Sequence, residues 1–179
     1  MSIFKLVAPV FFCAALFAAG PASVEVRHET TLCVTYKAHL AGDYLVIQAV
    51  HESPWHTNAM DNKVRVEEKL AGKKALGVDR PTEFKLTGLE VEGPWYQTTP
   101  KDLSKPDLRW YTWVFDSQAT FVAKVKRTGP SPAQIGIKGQ ACTESTCKNI
   151  DAAITLPFNA TGAAVDLKSL IAVRESAKR

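Results

Sequence analysis

The sequence predicts an all-β fold in which two antiparallel sheets pack face to face, and three observations support it. Apolar and polar residues alternate along several short segments, which is the period of a half-buried strand. Turn-forming residues such as Gly and Pro separate these segments at short intervals. The stretches between the segments are too short for the crossover helices that a parallel sheet requires.

The clearest strand follows Cys33. Its apolar residues occupy every second position, at Val34, Tyr36, Ala38 and Leu40. A turn at Gly42 and Asp43 comes next, and the apolar, β-rich run 44–51 follows it. Two such runs joined by a short turn predict an antiparallel hairpin.

Further β-rich segments recur along the chain, at residues 63–67, 83–91, 110–115, 119–127, 133–141 and 149–158. About eight short strands at this spacing are typical of an immunoglobulin-like antiparallel β-sandwich. We place that sandwich at residues 23–162. Residues 163–179 are expected to form a short C-terminal helix and tail. The helix would begin near Ala164, because the apolar residues after it follow a helical stripe.

Residues 1–22 have the pattern of a secretory signal peptide. Lys5 is followed by an apolar run at residues 6–19, and small residues stand at Gly20 and Ala22. The run is too short to cross the ~30 Å hydrocarbon core of a membrane. We therefore expect cleavage after Ala22, no stable membrane insertion of the mature chain, and a periplasmic or secreted protein.

The charge pattern excludes one class of partner. The formal net charge is +4, and the basic residues are interspersed with acidic ones rather than forming a stripe. A nucleic-acid interface needs a continuous basic patch, so none is expected. The sequence also lacks the Gly-x-Ser-x-Gly, His-Glu-x-x-His and Gly-rich phosphate-loop motifs, and we predict no cofactor.

Cys142 and Cys147 are separated by four residues at a point where the chain must reverse between two strands. In an oxidising compartment such a pair is able to form a disulfide. The bridge is either a structural staple or a redox pair that exchanges electrons with another protein's disulfide. A third interpretation is a metal site with His51 or His56 as further ligands. Cys33, at the start of a strand, is expected to be a buried, inert thiol.

Two aromatic residues stand in a Pro-containing segment at residues 91–100. Trp95 and Tyr96 lie between Pro94 and Pro100. Because aromatic rings bury a large apolar area, one interpretation is that both rings fold back onto the core.

The segment 135–147, which ends in Gln140-Ala141-Cys142 and the turn to Cys147, is followed by Ile-Thr-Leu-Pro-Phe at residues 154–158. This pattern resembles the amino-terminal periplasmic domain of the thiol:disulfide interchange reductase DsbD. Residues 44–60 and 89–96 resemble other parts of that domain in the same order. Two departures are Lys148-Asn149-Ile150, where the family commonly has prolines, and Gly139, where it often has an aromatic residue.

The resemblance implies an immunoglobulin-like sandwich whose two cysteines pass electrons between partner proteins, an activity of the protein-disulfide reductase type. It implies that Cys147 forms the mixed disulfide and that Cys142 resolves it. It also implies an aromatic cap loop over the disulfide, a role carried here to Trp95 and Tyr96. The implied partners are thioredoxin-like periplasmic proteins or a membrane electron donor, and we expect a stand-alone version of the domain. The alternative is a non-catalytic immunoglobulin-like binding module with a structural disulfide.

Overall fold

The computed structural model describes residues 20–73 and 80–175. These residues form two antiparallel sheets that pack as a sandwich, which confirms the predicted all-β fold. Residues 1–19 of the expected signal peptide lie outside the described residues, and cleavage after Ala22 stays a prediction. Within the described ranges, no helix has both the length and the apolar character needed to span a bilayer.

The first sheet contains the predicted hairpin at its centre. Its strands are, in spatial order, β1 (Ala22–His28), β2 (Thr31–Ala41), β3 (Tyr44–His51), β9 (Gln118–Arg127), β6 (Leu89–Gln97) and β12 (Ile171–Ala172). Strand β1 was not predicted, although Ala22, Val24 and Val26 alternate with polar residues. It pairs along β2 and forms the edge of the sheet.

The second sheet carries the two cysteines that are close in sequence. Its strands are, in spatial order, β11 (Cys147–Leu156), β10 (Ala133–Cys142), β4 (His56–Asn58), β8 (Trp113–Phe115) and β7 (Lys101–Asp102), and β5 (Glu83–Thr87) also pairs with β10. Strand β10 therefore has β11 along one side. Its other side is shared between β5 and, at Ala141 and Cys142, β4.

The core lies between the two sheets and is filled by the alternating residues that the sequence pattern indicated. Val34, Tyr36 and Ala38 of β2 are fully buried. Phe121 of β9 packs edge-on against Phe84 and Phe115, with ring centroids 5.1 and 5.4 Å apart. This burial of apolar surface is the main force that holds the two layers together.

One predicted strand is a helix. Residues 63–67 lie within α1 (Asn62–Leu70), which ends at Ala71 in the left-handed conformation. The alternating valines at 64 and 66 suggested a strand, but Glu, Glu, Lys and Leu follow them, and these residues favour helix. An ion pair between Asp61 and Arg65 also spans one helical turn.

The C-terminal helix is shorter than the sequence predicted. It is the 3-10 helix Leu167–Ser169, and the next residues form β12, which pairs with Tyr96 and Gln97 of β6. Apolar residues beyond Ala164 thus cover the edge of the first sheet instead of forming an amphipathic α-helix. The boundary at residue 163 stays a prediction, and β12 pairs with β6 of the sandwich across it.

A largely buried polar cluster joins α1, β6 and the C-terminal segment. We call it the Asp61 cluster, and it consists of Asp61, Arg65, Gln97 and Arg174. The Asp61 Oδ1 accepts hydrogen bonds from Arg65 Nε at 2.8 Å and Gln97 Nε2 at 2.7 Å. Its Oδ2 accepts from the Arg174 N–H at 3.2 Å. Because Asp61, Arg65 and Gln97 are all buried, these contacts compensate for the loss of water around the charges.

Candidate functional site

The two cysteines of the second sheet are joined by a disulfide at the end of the β10–β11 hairpin. Cys142 and Cys147 face each other in the strand register, with Cα atoms 4.1 Å apart and sulfur atoms 2.11 Å apart. Cys142 is buried, with 6% of its surface exposed, whereas Cys147 is exposed. The two sulfur-bearing residues of one bridge therefore differ in their access to solvent.

The chain between the cysteines is held by its own hydrogen bonds. We call residues 142–147 the disulfide turn. The Thr143 N–H donates to the Thr146 carbonyl at 2.8 Å. The Thr143 hydroxyl oxygen accepts from the N–H groups of Ser145 and Thr146, each at 3.2 Å. A Thr side chain bonded in this way is typical of a tight turn, so the backbone geometry of the disulfide turn has support besides the bridge.

A cavity of about 660 Å³ opens beside the disulfide. The disulfide turn forms one wall, and the other lining residues are His56, Asn58, Leu103, Lys105, Trp110 and Thr112. Concave sites of this size occur preferentially where proteins bind other molecules. The cavity therefore makes this end of the second sheet the candidate functional site.

Four further lining residues belong to a second hairpin, residues 103–112, which we call the Trp110 arm. Lys105 and Trp110 close it through two backbone hydrogen bonds, from Lys105 N to Trp110 O at 2.7 Å and from Trp110 N to Lys105 O at 3.2 Å. The Lys105 ammonium lies 5.6 Å from the centre of the Trp110 ring, within the range of a cation–π contact. At the tip of the arm, Leu108 is 59% exposed.

Asn58 links the cavity to the strands around it. Its side-chain carbonyl accepts from the Thr112 hydroxyl at 3.1 Å, and its amide donates to the Arg80 carbonyl at 3.0 Å. The backbone carbonyl of Asn58 accepts from the Thr82 hydroxyl at 2.7 Å. The Trp110 arm and the segment before β5 are therefore both tied to β4.

The Gln-x-Cys motif has a structural explanation. Gln140 accepts from the Arg80 N–H at 3.2 Å and donates to the Asn149 side chain at 3.0 Å. At the neighbouring Gly139, a Cβ atom would lie 3.1 Å from the Pro81 carbonyl oxygen. The segment before β5 therefore runs so close beside β10 that any side chain at position 139 would require this segment to shift.

The structure places the two histidines of the metal-site interpretation differently. His51 is buried, with Nδ1 2.7 Å from the Ser117 carbonyl and Nε2 2.8 Å from the Thr57 hydroxyl. Burial lowers the pKa of His51, so a neutral ring that donates to Ser117 and accepts from Thr57 fits its surroundings. His56 lines the cavity. Among the described residues, no group of three or more His, Cys, Asp or Glu side chains has a geometry suited to a metal ion.

Trp95 and Tyr96 are not beside the disulfide. Both lie on β6 in the first sheet, after an irregularity between Val91 and Trp95 in the pairing with β9. The Trp95 ring stacks on Phe84 at 5.3 Å and packs against the core, as the alternative interpretation of these rings expected for this residue. Neither residue lines the cavity, and this placement differs from the expected cap.

Trp110 is the cavity residue that the sequence reasoning missed. It follows the polar, Pro-containing stretch 101–109, and the same signal that drew attention to Trp95 was therefore present here. Cys33 has the predicted location: it is a free cysteine, fully buried, with its sulfur 3.7 Å from the Thr31 carbonyl. Burial raises the pKa of the Cys33 thiol, which disfavours the reactive thiolate.

No protein-family model matches this chain, and no curated protein matches it in sequence. Several solved structures are similar to it, and two of them are N-terminal domains of known proteins. One is the N-terminal domain of DsbD from Neisseria meningitidis in the reduced form, at 10% identity and a TM-score of 0.48, covering 79% of this chain and 91% of that chain. The other is the N-terminal periplasmic domain of ScsB from Proteus mirabilis, at 15% identity and a TM-score of 0.49, covering 72% of this chain and 47% of that chain. The chain is thus similar in structure to the N-terminal domains of DsbD and ScsB.

Proposed function

We propose that this chain is a thiol-disulfide exchange protein that passes electrons between partner proteins through Cys142 and Cys147. The observation that carries the proposal is a disulfide with one exposed and one buried cysteine at the wall of an open cavity. Exchange requires a thiolate to reach one sulfur along the axis of the bridge. The exposed Cys147 provides that access.

The difference in exposure supports a separate role for each cysteine. A partner thiolate attacks the Cys147 sulfur, which forms a mixed disulfide and releases Cys142 as a thiolate. The second thiolate of the same partner then attacks the partner sulfur of that mixed disulfide. This step releases Cys147 as a thiolate and leaves the partner with its own disulfide. Two electrons pass from the partner dithiol to the pair, and the reverse sequence returns them. These roles agree with those that the family resemblance implies.

The hydrogen bonds of the disulfide turn favour this function over a structural staple. Closing so short a loop contributes only about 2 kcal/mol in the chain-entropy model. The turn is already held by the bond from Thr143 N to Thr146 O and by the Thr143 side chain. A bridge added for stability would therefore contribute little here, whereas a redox pair benefits from a turn that keeps its shape when the bridge opens.

We assign the aromatic cap to Trp110 instead of Trp95 and Tyr96. The Trp110 arm lines the same cavity as the disulfide turn, and its backbone is closed by the Lys105 and Trp110 hydrogen bonds. A ring in this position shields the sulfurs from small oxidants while leaving the cavity open to a protein partner. Leu108 at the exposed tip offers apolar surface to that partner.

The partners that fit are thioredoxin-like proteins or a membrane-bound electron donor of the periplasm. The signal-peptide pattern at residues 1–22 supports this compartment, since a disulfide persists in an exported protein. The ScsB structure similar to this chain is described as a periplasmic domain. The acidic and basic residues of the cavity wall, Glu144 and Lys105, provide polar contacts at its rim.

The reduction potential of the Cys142 and Cys147 pair tests the proposal. Mature protein carrying Cys33→Ala, which removes the third thiol, is equilibrated in graded glutathione or dithiothreitol buffers, then alkylated and weighed. We expect a potential between about −180 and −270 mV, the range of exchange proteins. Tryptophan fluorescence in the same buffers is the control for folding. A bridge that resists reduction until the domain unfolds would overturn the proposal and favour the binding module with a structural disulfide.

A further inference from the structure

His56, Cys142 and Cys147 form one row across three neighbouring strands. Cys142 of β10 is the register partner of Cys147 on one side and of His56 on the other. Residues directly opposite each other in an antiparallel pair point to the same face, with Cβ atoms about 4.5–5.5 Å apart. His56 is therefore the lateral neighbour of Cys142 in the sheet, on the side away from Cys147.

His56 also shares the surroundings of the disulfide. It is half-buried and lines the same cavity as both cysteines. The other charged or titratable side chains on the cavity wall are Lys105 of the Trp110 arm and Glu144 of the disulfide turn. His51 of β3, which is hydrogen-bonded to Thr57 of β4, interacts electrostatically with His56 and with Asp116.

His51 is not able to take part in proton transfer at the disulfide. Both of its ring nitrogens are engaged, by the Ser117 carbonyl and the Thr57 hydroxyl. Burial also lowers its pKa, which disfavours the charged ring. Imidazole is the side chain whose ordinary charge change falls between pH 5 and 8. Of the two histidines near β4, His56 is the one that reaches the cavity.

We propose that His56 is the acid–base residue of the exchange reaction and carries a proton to and from the Cys142 sulfur. This inference rests on the proposed function. A proton carrier at His56 explains how Cys142 is released as a thiolate and later attacks as a thiolate, although Cys142 is less accessible to water than Cys147.

The proton balance follows the electron balance. When a partner thiolate bonds to the Cys147 sulfur, the bond between Cys147 and Cys142 breaks and its electron pair stays on Cys142. The His56 imidazolium gives its proton to that thiolate, which leaves a neutral ring and a Cys142 thiol. In the reverse direction the neutral ring removes the Cys142 proton, and the thiolate attacks Cys147 to release the partner.

The test compares His56→Gln with the natural protein. Both are exported, oxidised and mixed with dithiothreitol, and the opening of the bridge is followed from pH 5.5 to 9. The natural protein should open about tenfold faster at pH 6, where imidazole is charged, and the ratio should approach one at pH 9. Dividing the two rates at each pH removes the ionisation of dithiothreitol itself.

A second readout does not depend on the reductant. Thiolates absorb near 240 nm, and the fully reduced natural protein should show more thiolate at pH 7 than His56→Gln. His28→Gln is the matched control, because His28 lies on β1 against the Trp55 ring and does not line the cavity. Thermal unfolding of all three proteins checks that each is folded.

The outcomes separate this inference from the proposed function. If the natural protein exchanges but His56→Gln has the same pH profile and thiolate absorbance, the role of His56 is overturned while the proposed function stands. A loss of equal size at every pH would also overturn it, since that is the signature of altered packing. If the natural disulfide does not react until the domain unfolds, both ideas fail together.

Discussion

The disulfide turn and the Asp61 cluster are two polar regions built in opposite ways. The disulfide turn is stabilised by hydrogen bonds between near neighbours in sequence, and four of its residues are exposed. In the Asp61 cluster the side chains of Asp61, Arg65 and Gln97 are buried, and the hydrogen bonds join segments as distant as Asp61 and Arg174. A region with local support is able to change its covalent state without disturbing the fold. A region that ties distant segments together cannot lose its contacts without disturbing the fold.

The pKa of Asp61 illustrates the second kind of region. Burial alone would raise the pKa of this carboxyl group, but hydrogen bonds from Arg65, Gln97 and the Arg174 N–H outweigh burial and hold the pKa below its ordinary value. A carboxyl group with a depressed folded-state pKa stabilises the fold above its unfolded-state pKa. That contribution is lost as the pH falls through the folded-state value. The Asp61 cluster is therefore a source of stability at neutral pH.

Asp61→Ala should give the largest loss of stability. It leaves the buried Arg65 guanidinium without its carboxylate, and breaking a buried pair in this way costs about 3–5 kcal/mol. Urea unfolding measures the loss. The control is Asp116→Ala, which removes an exposed ion pair with Lys101 and should cost no more than about 1 kcal/mol. Equal losses in the two variants would contradict the contrast between the regions.

Replacing both cysteines of the bridge by Ser should have a smaller effect on stability and a complete effect on exchange. The free energy of unfolding should fall by about 2 kcal/mol, the contribution expected from the loop-closure entropy of a short loop. Exchange with a thioredoxin-like partner should disappear, while Cys33→Ala retains it. A stability loss as large as that of Asp61→Ala would instead identify the bridge as a structural staple.

Substitutions of two tryptophans, Trp95 and Trp110, should give the smallest changes in stability and compare the core with the cavity wall. Trp95→Ala removes a half-buried ring stacked on Phe84 and should cost about 2 kcal/mol, less than a fully buried aromatic residue. Trp110→Ala should change stability by less than about 1 kcal/mol but speed the alkylation of reduced Cys147 severalfold. Iodoacetamide labelling followed by mass spectrometry measures the rate. If Trp95→Ala accelerates labelling and Trp110→Ala does not, the cap assigned to the Trp110 arm is wrong.

The sequence was informative where local patterns determine structure. The period-two alternation around Tyr36 predicted β2, and the position of Cys142 and Cys147 between two strands predicted a hairpin with the cysteines at its end. The helix α1 was not predicted, because two valines that alternate with polar residues over five positions have the pattern of a strand. A buried ion pair between Asp61 and Arg65 is a tertiary feature that no local pattern reveals.

The composition of the site was harder to predict for a related reason. His56 and Cys142 are far apart in sequence and meet only because β4 and β10 pair. Trp95 and Trp110 look alike in sequence, since each stands in a polar segment with a proline nearby. The irregular pairing of β6 with β9 leaves Trp95 on the core of the first sheet, whereas the Lys105 and Trp110 bonds hold Trp110 beside the second. Sheet pairing decided both outcomes.

Gly139 has a role that its position in the middle of β10 conceals. A Cβ atom at this position would lie only 3.1 Å from the Pro81 carbonyl oxygen, and the adjoining Thr82 is bonded to Asn58. Position 139 therefore acts as a spacer, because a Cβ atom there would press on the segment that is hydrogen-bonded to β4. Since Asn58 and His56 share that strand, the geometry of the cavity depends on a residue that never touches it. Any attempt to graft this site onto another β-sandwich must therefore include a glycine at the position of Gly139 as well as the two cysteines.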